Sequence, residues 1–326
     1  MRRKLVGACL LLVFITIAIN FHNVNVNATI TGNIGDALED SRMIFYVVNC
    51  TEITGSIGLW TPEQGNKYFI VEIVVKNKLT QPLSFSILFL KLNDAQGYEY
   101  SSSIATSGLD YGLSGGKIAP KDIVRGQVAF EIPSNTTGSS LKYNDFSSIF
   151  IVELTPSLNP EPIPISEYTP QFGVGDTVQD NRVALTLNSY EKSPSISIYQ
   201  AKQGWTFLII DITIKNVGQD NINYNVLYIN VKDSQGHVFG SHIATSSLPG
   251  GLSSGTLTPT ENVRGKVAFQ VPENETYFVI HYDDFYSFFA APVIPEFTQA
   301  SIILLLTTIL IIITLLAKAN RLCARK

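Results

Sequence analysis

Residues 104–133 read IATSGLDYGLSGGKIAPKDIVRGQVAFEIP, and residues 243–272 read IATSSLPGGLSSGTLTPTENVRGKVAFQVP. The second stretch follows the first at an offset of 139 residues without a gap. Such a duplication sets the size of the folding unit and is read before anything else. In each copy a Gly/Ser/Pro-rich segment leads into an alternating apolar run, Val124 to Phe130 in the first and Val263 to Phe269 in the second. Pro133 and Pro272 then end the run, because proline has no N–H to give to the next ladder bond.

The similarity extends outward from this stretch. Gly35-Asp36 and Arg42 match Gly175-Asp176 and Arg182, and Lys76-Asn77 matches Lys215-Asn216. Asp94, Gln96 and Gly97 match Asp233, Gln235 and Gly236, while Tyr143, Asp145 and Phe146 match Tyr282, Asp284 and Phe285. Each unit is about 120 residues, the size of one domain and too long for a solenoid repeat. Apolar runs at Met43–Cys50, Tyr68–Lys76, Phe85–Leu92, Ile123–Ile132 and Asp145–Glu153 predict strands, and Tyr98–Ser102 is the returning strand after the Asp94–Gly97 turn. Val183–Tyr190, Trp205–Lys215, Val226–Val231, Val263–Val271 and Tyr277–His281 predict the same order in the second unit. Short strands, recurrent turn signals and no helix-period pattern between the two ends predict two tandem immunoglobulin-like β-sandwiches, an all-β class.

The ends have a different composition. Arg2, Arg3 and Lys4 precede an apolar run from Leu5 to Ala18, and Val26-Asn27-Ala28 offers small residues for cleavage, which predicts a secretory signal peptide. Ala300–Ala317 is an uncharged Ile/Leu-rich stretch followed by a basic tail, and it predicts a C-terminal transmembrane helix with the tail in the cytoplasm and the rest outside. Seven of the 23 basic residues lie in these tails, so the middle carries 16 against 27 acids, a net of −11. No basic patch with interleaved aromatics is present, which argues against nucleic acid. Outside the signal only Cys50 and Cys323 remain, too few for a disulfide framework.

The expected organisation is therefore a signal peptide at 1–28, a first β-sandwich at 29–155, a connector at 156–172 and a second β-sandwich at 173–292. A juxtamembrane segment at 293–299, a transmembrane helix at 300–317 and a cytoplasmic tail at 318–326 complete it. Five prolines make the connector either a stiff linker or a strap packed on the first domain.

Two resemblances follow from these residues. The Lys-Asn pair after a long strand, the Asp-x-x-Gly turn and the Gly-x-Val-x-Phe-x-(Val/Ile)-Pro ending resemble the exported domains of unknown function DUF4352, at about Gly35–Glu153 and Gly175–Tyr286. That resemblance implies an immunoglobulin-like sandwich and export, and no substrate. Val293-Ile294-Pro295-Glu296-Phe297 resembles the PEF boundary before C-terminal anchors of archaeal surface proteins, which implies an archaeal cell-surface location.

Candidate chemistry is sparse. Asn49, Asn135 and Asn274 head glycosylation sequons. Asp36 and Asp40, matched by Asp176 and Asp180, are acids near each domain entrance that would suit Ca²⁺, although no calcium-loop spacing is present and turn-forming Asp is the plainer reading. Asp233, His237 and His242 are the one grouping that would suit a metal-assisted hydrolase, but the positions of both histidines are Tyr98 and Ser103 in the first copy. No catalytic residue or cofactor is expected. The leading expectation is a single-pass cell-surface protein, partnered by the lipid bilayer through its C-terminal helix and by a surface protein or glycan, acting in binding, adhesion or envelope structure. The alternatives are the hydrolase and a non-binding stalk.

Overall fold

The computed structural model describes residues 28–168 and 173–293. They group into two compact units, the first made of 28–79, 85–115 and 127–164 and the second of 80–84, 116–126, 165–168 and 173–293.

In the first unit one sheet has the order Ala37–Glu39, Met43–Ile53, Asn66–Asn77 and, from Gln127 onward, Ile123–Pro133. The other has the order Thr29–Ile34, Ile149–Pro156, Gly138–Asn144, Leu90–Asp94 and Glu99–Ser101. Asn66–Asn77 is central and buried along most of its length, which suits its continuous apolar run. Phe45, Phe85, Phe150 and Tyr143 stack between the sheets at centroid distances of 5.3–6.4 Å. Each such side chain, fully buried, contributes about 1.5–3 kcal/mol from its apolar surface alone.

The second unit repeats the plan. One sheet runs Thr177–Gln179, Val183–Ser193, Trp205–Asn216, Asn262–Pro272, and the other Val238–Gly240, Ile229–Asp233, Phe278–Asp283, Phe288–Val293. Both copies even place a β-bulge at the same point, between Val47 and Asn49 and between Leu187 and Ser189. The all-β tandem sandwich expected from the duplication is therefore what forms.

The duplicated Ile-Ala-Thr-Ser motif has a structural explanation. Ile104–Gly108 and Ile243–Ser247 are 3₁₀ turns, and Thr106 and Thr245 use their hydroxyls to accept the N–H of Ala129 and Ala268 at 3.0 Å. The turn is thus fastened to the neighbouring strand by a buried side chain.

Three expectations need correction. The single strand expected over Phe85–Leu92 is broken by a 3₁₀ turn, Ile87–Phe89, because Ser86 accepts the N–H of Leu88 and pulls the chain out of extension. Asn225 does the same for Val226–Tyr228. The strand expected from Asp145 begins only at Ile149, since Asp145 closes a turn, and Gly138–Asn144 is an additional strand ahead of that turn.

The expected transmembrane helix is the third correction. Among the described residues no helix is long and apolar enough to cross a membrane; they form strands and short 3₁₀ turns. Residues 300–317, like residues 1–27 of the signal peptide expected at 1–28 and the PEF residues from Ile294 on, lie outside the described residues. The bilayer anchor and the single-pass location are accordingly withdrawn.

In the proline-rich segment, Ser157 and Glu161 donate their N–H groups to Ile34 and Gly35 at 2.8 and 2.7 Å, and the Tyr46 hydroxyl donates to the Glu161 carbonyl at 2.9 Å. Residues 157–161 are thereby strapped onto the first unit.

Candidate functional site

Each unit carries the same exposed aromatic tip. In the first unit the strand Gly138–Asn144 ends in a tight turn in which Asn144 Oδ1 accepts the N–H of Phe146 at 3.0 Å. Asp145 Oδ1 accepts the N–H groups of Ser147 and Ser148 at 3.0 and 2.7 Å. These bonds hold Phe146 at φ 68°, a left-handed conformation that a bulky residue adopts only at a cost. The ring gains no burial in exchange, since it remains 82% exposed. It meets Phe89 edge-on at 6.2 Å, and Leu88 stands beside that ring in the 3₁₀ turn, also exposed.

The second unit reproduces each part. Asp283 Oδ1 accepts the N–H of Phe285 at 3.0 Å, Asp284 Oδ1 accepts from Tyr286 and Ser287 at 3.0 and 2.6 Å, and Phe285 sits at φ 74°. Phe285 meets Tyr228 edge-on at 6.0 Å, with Leu227 and Tyr286 exposed nearby. The Arg182 guanidinium lies 4.5 Å from the centre of the Tyr286 ring, a cation–π contact. Behind the tips, buried Tyr143 and Tyr282 direct their hydroxyls at Asp145 and Asp284, and burial pushes both phenols well above their ordinary range. The bases of the tips are thus rigid while their apolar surfaces are wet. The repeat of Tyr, Asp and Phe was visible in the sequence; the left-handed backbone that projects the ring was not.

The residues singled out from the sequence do not converge. Asp36 and Asp176 accept the N–H of Asn33 and Gly173, and Asp40 and Asp180 accept the N–H groups of the following Arg42/Met43 and Arg182/Val183. All four are turn-forming aspartates. Asp233 accepts the N–H groups of Gln235 and His237, and its other oxygen lies 2.9 Å from His237 Nδ1. His242 points elsewhere, capping the 3₁₀ turn by accepting the Ala244 N–H and packing on Phe207 and Tyr199; burial lowers its pKa. Among the described residues no three His, Cys, Asp or Glu side chains are grouped to hold a metal, and the metal-assisted hydrolase is withdrawn.

Of the sequons, Asn135 and Asn274 are exposed in turns, whereas Asn49 lies in a strand and donates to the Glu72 carboxylate at 2.9 Å. Cys50 is a half-buried free thiol whose pKa is raised by burial.

Comparison with known proteins gives a family and no activity. No curated protein matches the chain. The yjhA protein of Bacillus subtilis is 17% identical over 37% of this chain and 98% of its own, with TM-score 0.31. The secreted protein MPT63 of Mycobacterium tuberculosis is 15% identical over 39% of this chain and 98% of its own, with TM-score 0.34. An uncharacterized β-sandwich protein of Clostridium difficile is 16% identical over 40% and 96%, with TM-score 0.29. Likenesses this distant carry no argument about function. The archaeal attribution drawn from the PEF residues gains nothing from any of them and is withdrawn. The model of the domain of unknown function DUF4352 matches twice, at residues 32–150 and 172–290, more than half of the chain, and the chain belongs to that family as a tandem pair.

Proposed function

We propose that the chain is a non-catalytic, exported binding protein whose ligand contacts are the two aromatic tips. The observation that carries this reading is the pair Phe146 and Phe285, each exposed and each held in a backbone conformation that disfavours a bulky side chain. Glycine at either position would relieve the strain at little loss of burial, so keeping a phenyl ring there twice supports a role in contact with something outside the chain. The non-catalytic reading is supported by the structural use of Asp233, His237 and His242. Export is supported by the signal-like sequence at residues 1–28 alone.

Two copies of one weak contact on a single chain raise the effective concentration of the second after the first has bound. The ligand class that suits this is a repetitive partner with accessible apolar faces. The test is retention of the protein on immobilised cell-envelope polysaccharides and envelope proteins, comparing the parent with Phe146→Ser, Phe285→Ser and the double variant. The reading expects each single variant to lose roughly tenfold or more in affinity and the double variant to lose retention altogether. Equal retention of the parent and the double variant removes the tips from the function, and no retention of the parent on any surface leaves a structural spacer.

A further inference from the structure

The second unit contains a buried ion-pair site that the repeat does not require. Lys232 and Asp122 have side chains only 4% and 0% exposed, and Lys232 Nζ donates to Asp122 Oδ2 and, at 3.2 Å, to the Ile123 carbonyl. At the repeat offset Lys232 corresponds to Asn93, so the sandwich framework forms without this lysine. A buried pair of charges is weak evidence for stability, because desolvation offsets most of their attraction. A different explanation is therefore needed for keeping a long amine and a carboxyl together in a dry interior.

The geometry around Asp122 supplies one. Its two oxygens are in unlike surroundings. Oδ1 accepts two hydrogen bonds, from the Ser166 hydroxyl at 2.6 Å and from the Ile123 N–H at 2.8 Å. Oδ2 faces the amine. Two donors converging on one oxygen of a carboxyl stabilise the negative charge that builds there when a nucleophile attacks the carbon.

We propose that Lys232 and Asp122 are joined by an intramolecular isopeptide bond formed by the protein itself. Nζ attacks Cγ of Asp122, and charge gathers on Oδ1 between Ser166 and the Ile123 N–H. The Cγ–Oδ2 bond then breaks as the Cγ–Nζ bond forms. Of the three protons on the charged amine, one stays on nitrogen and two leave with Oδ2 as water. Oδ1 becomes the amide oxygen and keeps both of its donors. No oxidant, reductant or other reagent is needed. Burial lowers the pKa of Lys232, which favours the neutral amine the attack requires. Product formation also removes both charges from the interior, and so removes the desolvation penalty. His281 lies within electrostatic reach of both partners, and its Nε2 is buried without a hydrogen-bond partner.

The test is mass spectrometry of the purified full-length chain, denatured before analysis. The proposal expects an intact mass one water below that of the polypeptide, and a tryptic species in which residues 122–125 are linked to residues 216–264, uncut at Lys232. The Lys232→Arg variant is expected to show the full polypeptide mass and no linked species. A parent chain at full mass, with Lys232 cleaved normally, overturns the proposal and leaves an ion pair. A loss of water mapping to a single linear peptide also overturns it, since a cyclised aspartate has the same mass. Because both overturning results are read on the parent chain, failure of the variant to fold does not obscure the outcome.

Discussion

Arg42 Nη1 lies 3.0 Å from Asp145 Oδ2 across 103 residues of chain and fixes the base of the first aromatic tip. Asp145 is 8% exposed and also accepts from Tyr143, Ser147 and Ser148, so its carboxylate joins the two sheets and closes the turn at once. Arg182 and Asp284 repeat the pairing at a looser 3.5 Å. Replacing Asp145 by Ala leaves the Tyr143 hydroxyl and two turn N–H groups without their acceptor. The expected cost is about 3 kcal/mol in denaturant unfolding, and it should exceed the cost of Asp284→Ala because the first contact is closer. Equal and small losses at both positions would show that the turn closes without them.

Phe146→Gly separates stability from binding. The ring is 82% exposed at φ 68°, so glycine removes backbone strain and little buried surface. The variant is expected to gain up to about 1 kcal/mol of stability in urea titration while losing retention on the ligand surface. A clear loss of stability would mean that the Phe89–Phe146 contact is part of the packing.

Much of the fold was legible because the chain states it twice. The shared offset fixed the size of the unit, and the period-two runs fixed the class. The failures are local. The run Phe85–Leu92 is apolar apart from Ser86 and Lys91, and periodicity cannot register that Ser86 captures the Leu88 N–H and turns the chain. The signal was a capping residue ahead of an apolar triplet, repeated as Asn225 before Val226. Thr29–Ile34 pairs parallel to Ile149–Pro156, a contact between distant segments that no local pattern reports. The histidines misled for a related reason: proximity in sequence put His237 and His242 together, whereas one bonds Asp233 and the other caps a turn against Phe207. The Lys232–Asp122 pair spans 110 residues and breaks the repeat, so comparing the two copies could not reveal it.

His281 makes stability depend on pH with a definite sign. Burial pushes its pKa down to about 3, so the folded chain keeps it neutral while the unfolded chain protonates it near its ordinary value. Between roughly pH 6.5 and 3 the unfolded state therefore binds more protons, and stability falls as pH falls across that window, by about 1.4 kcal/mol per pH unit from this group. Above the ordinary histidine range the contribution is constant. Urea unfolding at a series of pH values should show this slope in the parent and a shallower one in His281→Phe. Identical slopes would mean that other groups carry the acid sensitivity.

Gly112 and Gly251 test whether the duplicated motif is held by close backbone approach. A Cβ on Gly112 would collide with the Thr106 carbonyl oxygen, and one on Gly251 would collide with that of Thr245. Both carbonyls belong to the 3₁₀ turns fastened to the adjacent strand by the threonine hydroxyl, so the backbone has little room to retreat. Gly112→Ala and Gly251→Ala are each expected to cost about 3 kcal/mol, a steric effect unrelated to backbone handedness because neither glycine has positive φ. Gly97 provides the contrast. It sits at φ +87° with nothing within 4 Å of where a Cβ would stand, so Gly97→Ala meets only the left-handed penalty, about 1 kcal/mol. Thermal unfolding of the three variants should rank Gly97→Ala nearest the parent. If Gly112→Ala unfolds no earlier than Gly97→Ala, the 3₁₀ turn can shift away from the new methyl, and the Thr106–Ala129 bond is not the anchor inferred from its position.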